Sequence, residues 1–223
     1  MGFLDDLKRQ ADALKTQQTV DTAALACNAV LVEAACKTVL QYFMELAPQL
    51  NVLQPTPPVR FSLDKSTALD GMKRCDFRVD ARRKQHRGQE VFDHMVLHGL
   101  QKSGRQLTLS KDFPPEIERL ESRLRQAGIS PDTNWVRHPE SGRLEEVRFA
   151  FVADITLMAR VLPDHDEGKL RFQIGNFDGL ETVTADFPAH RVGSELLDQL
   201  ARWIMGEPHQ FLQQAESVRR VEA

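Results

Sequence analysis

The stretch that decides the fold runs from residue 19 to residue 47, TVDTAALACNAVLVEAACKTVLQYFMELA. Between Val20 and Ala47, 20 of the 28 positions are apolar when alanine is counted. The polar residues that recur on one narrow side fall four apart: Glu33, Lys37, Gln41 and Glu45. A helix with so thin a polar side needs cover on most of its circumference. We therefore predict a central helix that ends at Pro48 and is wrapped by a sheet.

A membrane span is the alternative interpretation of this helix. Its longest run without a charged residue extends from Thr22 to Val32. That run is well short of the ~20 apolar residues that a bilayer requires. The pattern therefore favours a core helix, with no membrane as a partner.

The first 18 residues are predicted to form a separate amphipathic helical arm. Its apolar residues are spaced by three and four: Leu4, Leu7, Ala11 and Leu14. A stripe this thin does not hold a helix in place by itself. We expect the arm to dock on the body or to pack against another chain.

Composition indicates a soluble protein of the cytoplasm. The chain has 223 residues, of which 41% are hydrophobic and 27% charged, and its formal net charge is -3. The N-terminus lacks the basic segment and apolar core of a signal peptide, and three cysteines are too few for a disulfide framework. A slightly acidic chain is also atypical of a dedicated nucleic-acid binder.

After the proline-rich connector that follows the helix, the pattern changes to a period of two. In RCDFRVDA, residues 74–81, Cys75, Phe77 and Val79 alternate with Arg74 and other charged residues, which predicts a strand with one solvated face. Residues 89–101 are predicted as a strand, although a helix also fits them. Together these patterns predict an α+β fold with a long helix on a curved, mainly antiparallel sheet of six or seven strands.

The chain also suggests an internal repeat. Residues 72–128 and 144–206 each predict three strands followed by Asp-Phe-Pro, a helix and a glycine, with the two triplets at 112–114 and 186–188. Matching element order makes a duplication plausible. On this interpretation residues 19–206 form one α+β domain, and residues 207–223 form a tail.

No local motif assigns an enzymatic reaction. Phosphate-binding loops, dinucleotide fingerprints, nucleophile elbows and zincin helices are absent. His94 and His98 are four apart, but on a strand their separation is about 13 Å, too far for a shared ion. We predict no catalytic residue, no metal site and no cofactor.

Two hairpin tips of opposite charge are the candidate binding residues. The basic tip contains Arg82, Arg83, Lys84 and Arg87. The acidic tip contains Asp164, Asp166 and Glu167. The basic tip is interpretable as a solvated turn, a protein contact or a nucleic-acid contact, and the acidic tip as a solvated turn or as a loose cation site without the calcium-loop pattern. We also consider that the basic tip meets the acidic turn of a neighbouring subunit.

Three functions remain open from the sequence. The first is a non-catalytic interaction module, of adaptor or chaperone type, that acts as a homo-oligomer. The second is a small-molecule binder or enzyme with a pocket between the long helix and the sheet, where Asn28 needs a polar partner. The third is nucleic-acid binding through the basic hairpin at residues 82–87.

Overall fold

The structure is a computed structural model that describes the backbone of residues 3–222 and the side chains of residues 22–221. Its helices are α1 (Phe3–Leu53), α2 (Pro114–Ala127) and α3 (Ser194–Met205). The strands are β1 (Phe61–Ser62), β2 (Ala68–Leu69), β3 (Lys73–His86), β4 (Gln89–Lys102), β5 (Gln106–Lys111), β6 (Asp132–Arg137), β7 (Leu144–Val152), β8 (Ile155–Asp164), β9 (Lys169–Gly175), β10 (Glu181–Pro188) and β11 (Ser217–Glu222). The predicted α+β class is confirmed, as is the strand at residues 89–101.

The main layer is a six-stranded antiparallel sheet in the order β11-β10-β9-β8-β4-β3. Helices α1 and α3 cover one face, which we call the covered face; the opposite surface is called the open face. The buried residues of the covered face include Met95, Leu157, Phe172 and Val183, and they pack on Phe43 and Leu200 of the helices. A long apolar helix on an alternating sheet therefore builds the main core.

Helix α1 does not end at Pro48, so that expectation was wrong. Proline removes one backbone donor and crowds the preceding turn, but Met44, the residue four positions earlier, is exposed to solvent. The last turn is also anchored, because Leu50 is buried and Asn51 bonds to strand β3. Tertiary contacts thus carry the helix on to Leu53.

The contact of Asn51 lies at an irregularity in β3. The ladder between β3 and β4 shifts register between Cys75 and Arg78, and Asp76 has a positive φ of 55°. The amide of Asn51 donates to the Phe77 carbonyl (2.8 Å) and accepts from the Phe77 N–H (2.7 Å). The side chain of Asn51 thereby satisfies the backbone N–H and carbonyl of Phe77, which have no partner on β4 because of the bulge.

The bulge also overturns the prediction that Arg74 lies on a solvated face. Arg74 is fully buried, because the extra residue places it on the covered face. Its guanidinium donates to Gln101 and to the backbone carbonyls of Phe177, Trp203 and Ile204. Two of these carbonyls belong to the last turn of α3, where the negative end of the helix dipole also attracts a cation.

A second core lies between α2 and a three-stranded sheet ordered β5-β7-β6. In residues 144–162, the alternation of Val147, Phe149, Phe151, Ile155 and Leu157 predicts one continuous strand. In the structure this segment divides into β7 and β8, which belong to different sheets. Asp154 lies at the division, and its carboxylate accepts hydrogen bonds from the N–H groups of Ser103 and Gly104. One predicted strand therefore joins the two cores.

The two Asp-Phe-Pro triplets lie in different settings. Phe113 precedes α2 and is 58% exposed, whereas Phe187 lies within β10 and is buried. Strand β5 pairs with β7, but β10 pairs with β9 and β11. The element order is alike in the two halves, while the strand partners differ.

Residues 207–222, expected as a tail, supply β11 at the edge of the main sheet.

The apolar character of α1 also meets the criteria for a membrane span by length and composition. The segment from Thr22 to Leu53 contains an 18-residue window with a mean hydropathy of 1.6. Core helices of soluble proteins have the same property, and Val32, Val39, Phe43 and Leu50 are buried in the main core. The fold is thus that of a soluble-type α+β protein.

Candidate functional site

The two charged hairpin tips lie side by side at one end of the main sheet. Strands β4 and β8 are antiparallel neighbours, so the β3–β4 turn and the β8–β9 turn point the same way. The carboxylate of Asp166 lies 3.2 Å from Nε2 of His86 and 3.0 Å from Nη2 of Arg87. The basic tip thus meets the acidic tip within one chain, whereas the contact between subunits stays a prediction.

The other basic residues of the first tip are mostly engaged locally. The guanidinium of Arg83 lies 4.3 Å from the ring centroid of Phe92. Lys84 pairs with Asp93 at 3.2 Å. Arg82 is exposed, and among the described residues it has no ion-pair partner. Of the four basic candidates, only Arg87 contacts the acidic tip.

The acidic tip is organised as a turn. The Asp164 carboxylate accepts hydrogen bonds from the N–H groups of Asp166 (3.2 Å) and Glu167 (3.0 Å). This arrangement is the usual way in which an aspartate stabilises a tight turn. Glu167 is exposed. Asp166 is therefore the acidic candidate that reaches another element.

Helix α1 is fastened to the acidic tip through Asn28. Its side-chain amide donates to the backbone carbonyl of Asp166 at 2.7 Å. Gly168 has a φ of +68°, and a Cβ there would lie 2.8 Å from the Asn28 Oδ1. The polar partner that the sequence demanded for Asn28 is thus the backbone of the β8–β9 turn.

Sequence reasoning missed the second link between α1 and this turn, which joins Glu33 to His165. His165 is 4% exposed, and its Nε2 lies 3.0 Å from Oε1 of Glu33. The same oxygen accepts the N–H of Phe92 at 2.8 Å. Glu33 was predicted to lie on the solvated side of α1, and that prediction was wrong. Its carboxylate is held against the sheet by two hydrogen-bond donors that are distant from it in sequence.

A cleft of about 600 Å³ opens between α1 and the basic tip. The α1 wall combines apolar and charged residues, including Ala26, Ala29, Val30, Glu33 and Lys37; His86, Arg87, Val91 and Asp166 lie on the other side. The His86 and His165 rings are 5.6 Å apart between centroids. Two turns and a helix thus bring histidines, acids and an arginine to the edge of an apolar groove.

The groove is better suited to binding than to nucleophilic chemistry. The nearest cysteine on the inner side of α1 is Cys36, and burial raises the pKa of its thiol to about 12, which keeps it protonated at neutral pH. Within residues 22–221, no group of three His, Cys, Asp or Glu side chains is arranged to hold a metal ion. His94 and His98 lie on strand β4, where His94 contacts the neighbouring Asp93 at 2.8 Å.

Helix α1 exposes an apolar stripe that overlaps the groove wall at Ala26, Val30 and Ala34. Val30 is 69% exposed and Leu31 is 41% exposed. Small residues surround them on the same side of the helix: Ala23, Ala26, Cys27 and Ala34, all exposed. We call the residues 23–34 that share this side the α1 stripe.

Comparisons with known proteins do not link this groove or this fold to a family. No family model, no curated protein and no solved structure matches the chain.

Proposed function

We propose that this protein is a cytoplasmic, non-catalytic interaction module that self-associates through the α1 stripe. The observation that supports this function is the exposure of Val30 and Leu31 on a helix whose other side forms the core. Of the most apolar 18-residue window of α1, only 22% is buried. Apolar helix surface left uncovered in this way is typical of an interface.

The length of α1 supports the same conclusion. The helix has 51 residues, which corresponds to ~77 Å at 1.5 Å per residue. Its buried side chains, among those described, lie between Val32 and Leu50. The domain therefore buries side chains of the helix from Val32 onward, whereas the described residues 22–31 contribute none to the main core.

The α1 stripe is suited to a second copy of the same helix. Ala23, Cys27, Val30 and Ala34 are spaced four, three and four apart, as at the contact positions of paired helices. The larger Val30 and Leu31 lie between small residues on both sides. Two copies related by a twofold axis would place these larger side chains against the small ones, as an isologous contact requires.

A bilayer is a less suitable occupant of the stripe. Beyond Val32 the helix is built into the main core, so it cannot cross a membrane without dismantling the sheet packing. Glu33, Lys37 and Arg87 also line the adjoining groove, and charged groups at this position favour a protein surface over lipid tails.

A second candidate function is small-molecule binding in the groove. The cleft volume of about 600 Å³ is within the range of ligand pockets. Its polar groups, however, are largely satisfied by each other: Asp166 by His86 and Arg87, and Glu33 by His165. Nucleic-acid binding through the basic tip has weaker support, because Arg87 and Lys84 already have acidic partners.

The decisive test is the mass in solution by light scattering during size-exclusion chromatography. We expect the wild-type chain to elute as a homo-oligomer and Val30→Glu to shift it to a monomer, since a carboxylate would be buried in the contact. Leu53→Glu is the matched control, because Leu53 is 62% exposed at the far end of the same helix and lies about 140° around it from Val30. A monomeric wild type, or equal dissociation by both variants, contradicts the proposal.

The exposed thiol of Cys27 gives a second measurement. Of the three free cysteines, Cys27 is exposed, whereas Cys36 and Cys75 are buried. We expect alkylation of Cys27 to slow as protein concentration rises, and to stay fast in Val30→Glu. Flotation of the wild-type chain with neutral phosphatidylcholine vesicles would instead identify a lipid surface as the occupant and overturn self-association.

A further inference from the structure

The open face of the main sheet carries a basic surface. Residues that pair directly across neighbouring strands lie on the same face, and the register therefore identifies its members. Among the described residues its charged members include five arginines, three lysines and three aspartates: Arg78, Arg82, Arg160, Arg171 and Arg219, Lys73, Lys102 and Lys169, and Asp80, Asp164 and Asp186. This excess of positive charge lies on a chain whose net charge is -3.

Part of this positive charge is neutralised by a carboxylate on the same face. Asp186 accepts two hydrogen bonds from Arg171, at 2.7 and 3.1 Å. By contrast, no described carboxylate forms an ion pair with Arg78 or Arg160. The unpaired charge is thus concentrated toward strands β3, β4 and β8.

Three of these side chains are neighbours in the ladder. Arg78 pairs with His98, and His98 pairs in turn with Met158. Arg160 follows Met158 by two residues on β8, on the same face, and pairs with Val96. Arg78 and Arg160 therefore flank His98 from opposite strands, and we call these three residues the open-face cluster.

Arg160 has an unsatisfied donor. Its Nε is buried and has no hydrogen-bond partner within the described residues. A buried donor without an acceptor destabilises the folded protein, because it has lost its hydrogen bond to water without gaining another. The neighbouring Val96 is 4% exposed and offers only an apolar side chain. An oxygen ligand at this position would supply the missing acceptor.

The electrostatics of His98 agree with this geometry. Desolvation and the positive charges of Arg78 and Arg160 lower the pKa of His98, with Asp80 opposing them and His94 adding to them. The imidazole thus lies in a positive potential that one aspartate does not cancel. An anion bound there would restore the protonated state of the histidine.

We propose that the open-face cluster binds a phosphate group, held by Arg78, Arg160 and His98. Arginine presents planar donors that match phosphate oxygens. The Nε of Arg160 gains its acceptor, and the bound dianion offsets the mutual repulsion of the cations. Among the described residues of the open face there is no Phe, Tyr or Trp, so the large aromatic surfaces on which single-stranded nucleic acids stack their bases are missing there.

The test is a titration with inorganic phosphate at low ionic strength, followed by calorimetry and by the NMR signals of His98. We expect saturable binding with one phosphate per chain and an upward shift in the midpoint of the His98 titration. Arg160→Gln and Arg78→Gln should each weaken binding at least tenfold. Arg219→Gln is the matched control, since it removes the same charge from the same face three strands away from β8 and should change affinity less than threefold.

Two further arms identify the source of the phosphate group and separate binding from general screening. Glycerol 3-phosphate that binds at least as tightly as inorganic phosphate would support the site and identify an organic phosphomonoester as its ligand; weaker binding would support free phosphate. Chloride at the same ionic strength should not shift the His98 midpoint upward. The proposal is overturned if phosphate binding does not saturate, if chloride reproduces it, or if Arg219→Gln weakens it as much as Arg160→Gln.

The circular dichroism of each variant establishes that it is folded. Should Arg160→Gln fail to fold, Arg78→Gln and His98→Gln test the same site from the other strands. Unchanged phosphate affinity in both folded variants contradicts the site. Neither result depends on the oligomeric state, so this site and the α1 stripe fail or succeed separately.

Discussion

The two faces of the main sheet differ in how they satisfy the buried nitrogen atoms of an arginine side chain. On the covered face, Arg74 is fully buried and its guanidinium reaches one side-chain and three backbone acceptors. On the open face, Arg160 has a buried Nε that contacts no acceptor. The first arrangement is complete and holds the end of a helix. The second is incomplete, and such a group is where a ligand gains most from binding.

The largest expected difference between the faces concerns these two arginines. Arg74→Ala should lower the free energy of unfolding by about 3–5 kcal/mol, because it leaves carbonyls at the end of α3 unpaired and opens a cavity. Arg160→Ala should change it by less than about 1 kcal/mol, since it removes an unsatisfied donor. Guanidinium denaturation of both variants measures the difference. Equal losses would show that the two faces do not differ in this way.

A smaller difference is expected from two strand glycines. Gly99 lies on the covered face, where an added Cβ would meet the Phe77 ring at 2.7 Å. Gly175 lies on the open face, where the nearest atom to an added Cβ is 3.8 Å away. Gly99→Ala should cost about 1–3 kcal/mol by overpacking, and Gly175→Ala less than about 0.5 kcal/mol. Thermal unfolding compares them; a larger loss for Gly175→Ala would contradict the assigned packing of the faces.

The smallest effect is the pH dependence contributed by two histidines. Burial lowers the pKa of His209, which stacks on Trp203 at 4.9 Å, and also lowers the pKa of His98 on the open face. Unfolding allows both to bind protons near pH 6.5, so their contribution is complete above that pH and is lost as the pH falls toward the folded pKa values. Stability should therefore fall as the pH drops from neutrality through 6.5.

Variants separate the two histidines in the same pH series. His209→Gln and His98→Gln should each flatten the acid loss. Phosphate should reduce only the part that depends on His98, because an anion favours its protonated form. An acid loss that neither variant changes would assign the pH dependence to other groups.

Much of the architecture could be predicted from the sequence, because it depends on periodic burial. The apolar run of α1 and the alternation in β3 and β4 indicate which side of each element is buried in the core. The end of α1 at Leu53 and the burial of Arg74 could not be predicted in this way. Both depend on the bulge near Asp76 and on Asn51, and a single register shift moves side chains to the other face.

The candidate site was harder to predict for a related reason. The opposite charges of the two tips were visible in the sequence, but their meeting within one chain depends on β4 and β8 being neighbours, which no local pattern states. Glu33 falls on a spacing typical of solvent, yet its partners are His165 and Phe92. Groups brought together by strand order, like Arg78 and Arg160, carry no signal in a local window of sequence.

The fastening of α1 to the β8–β9 turn has a consequence for the order of events during folding. The hydrogen bond from Asn28 to Asp166 spans 138 residues, and that from His165 to Glu33 spans 132. Contacts so distant in sequence form only after long loops close. During synthesis, α1 leaves the ribosome before strands β8 and β9 have been made, so the side of the helix that packs in the core is at first uncovered. The groove is therefore a property of the finished chain, and a truncated product would present a bare apolar helix in its place.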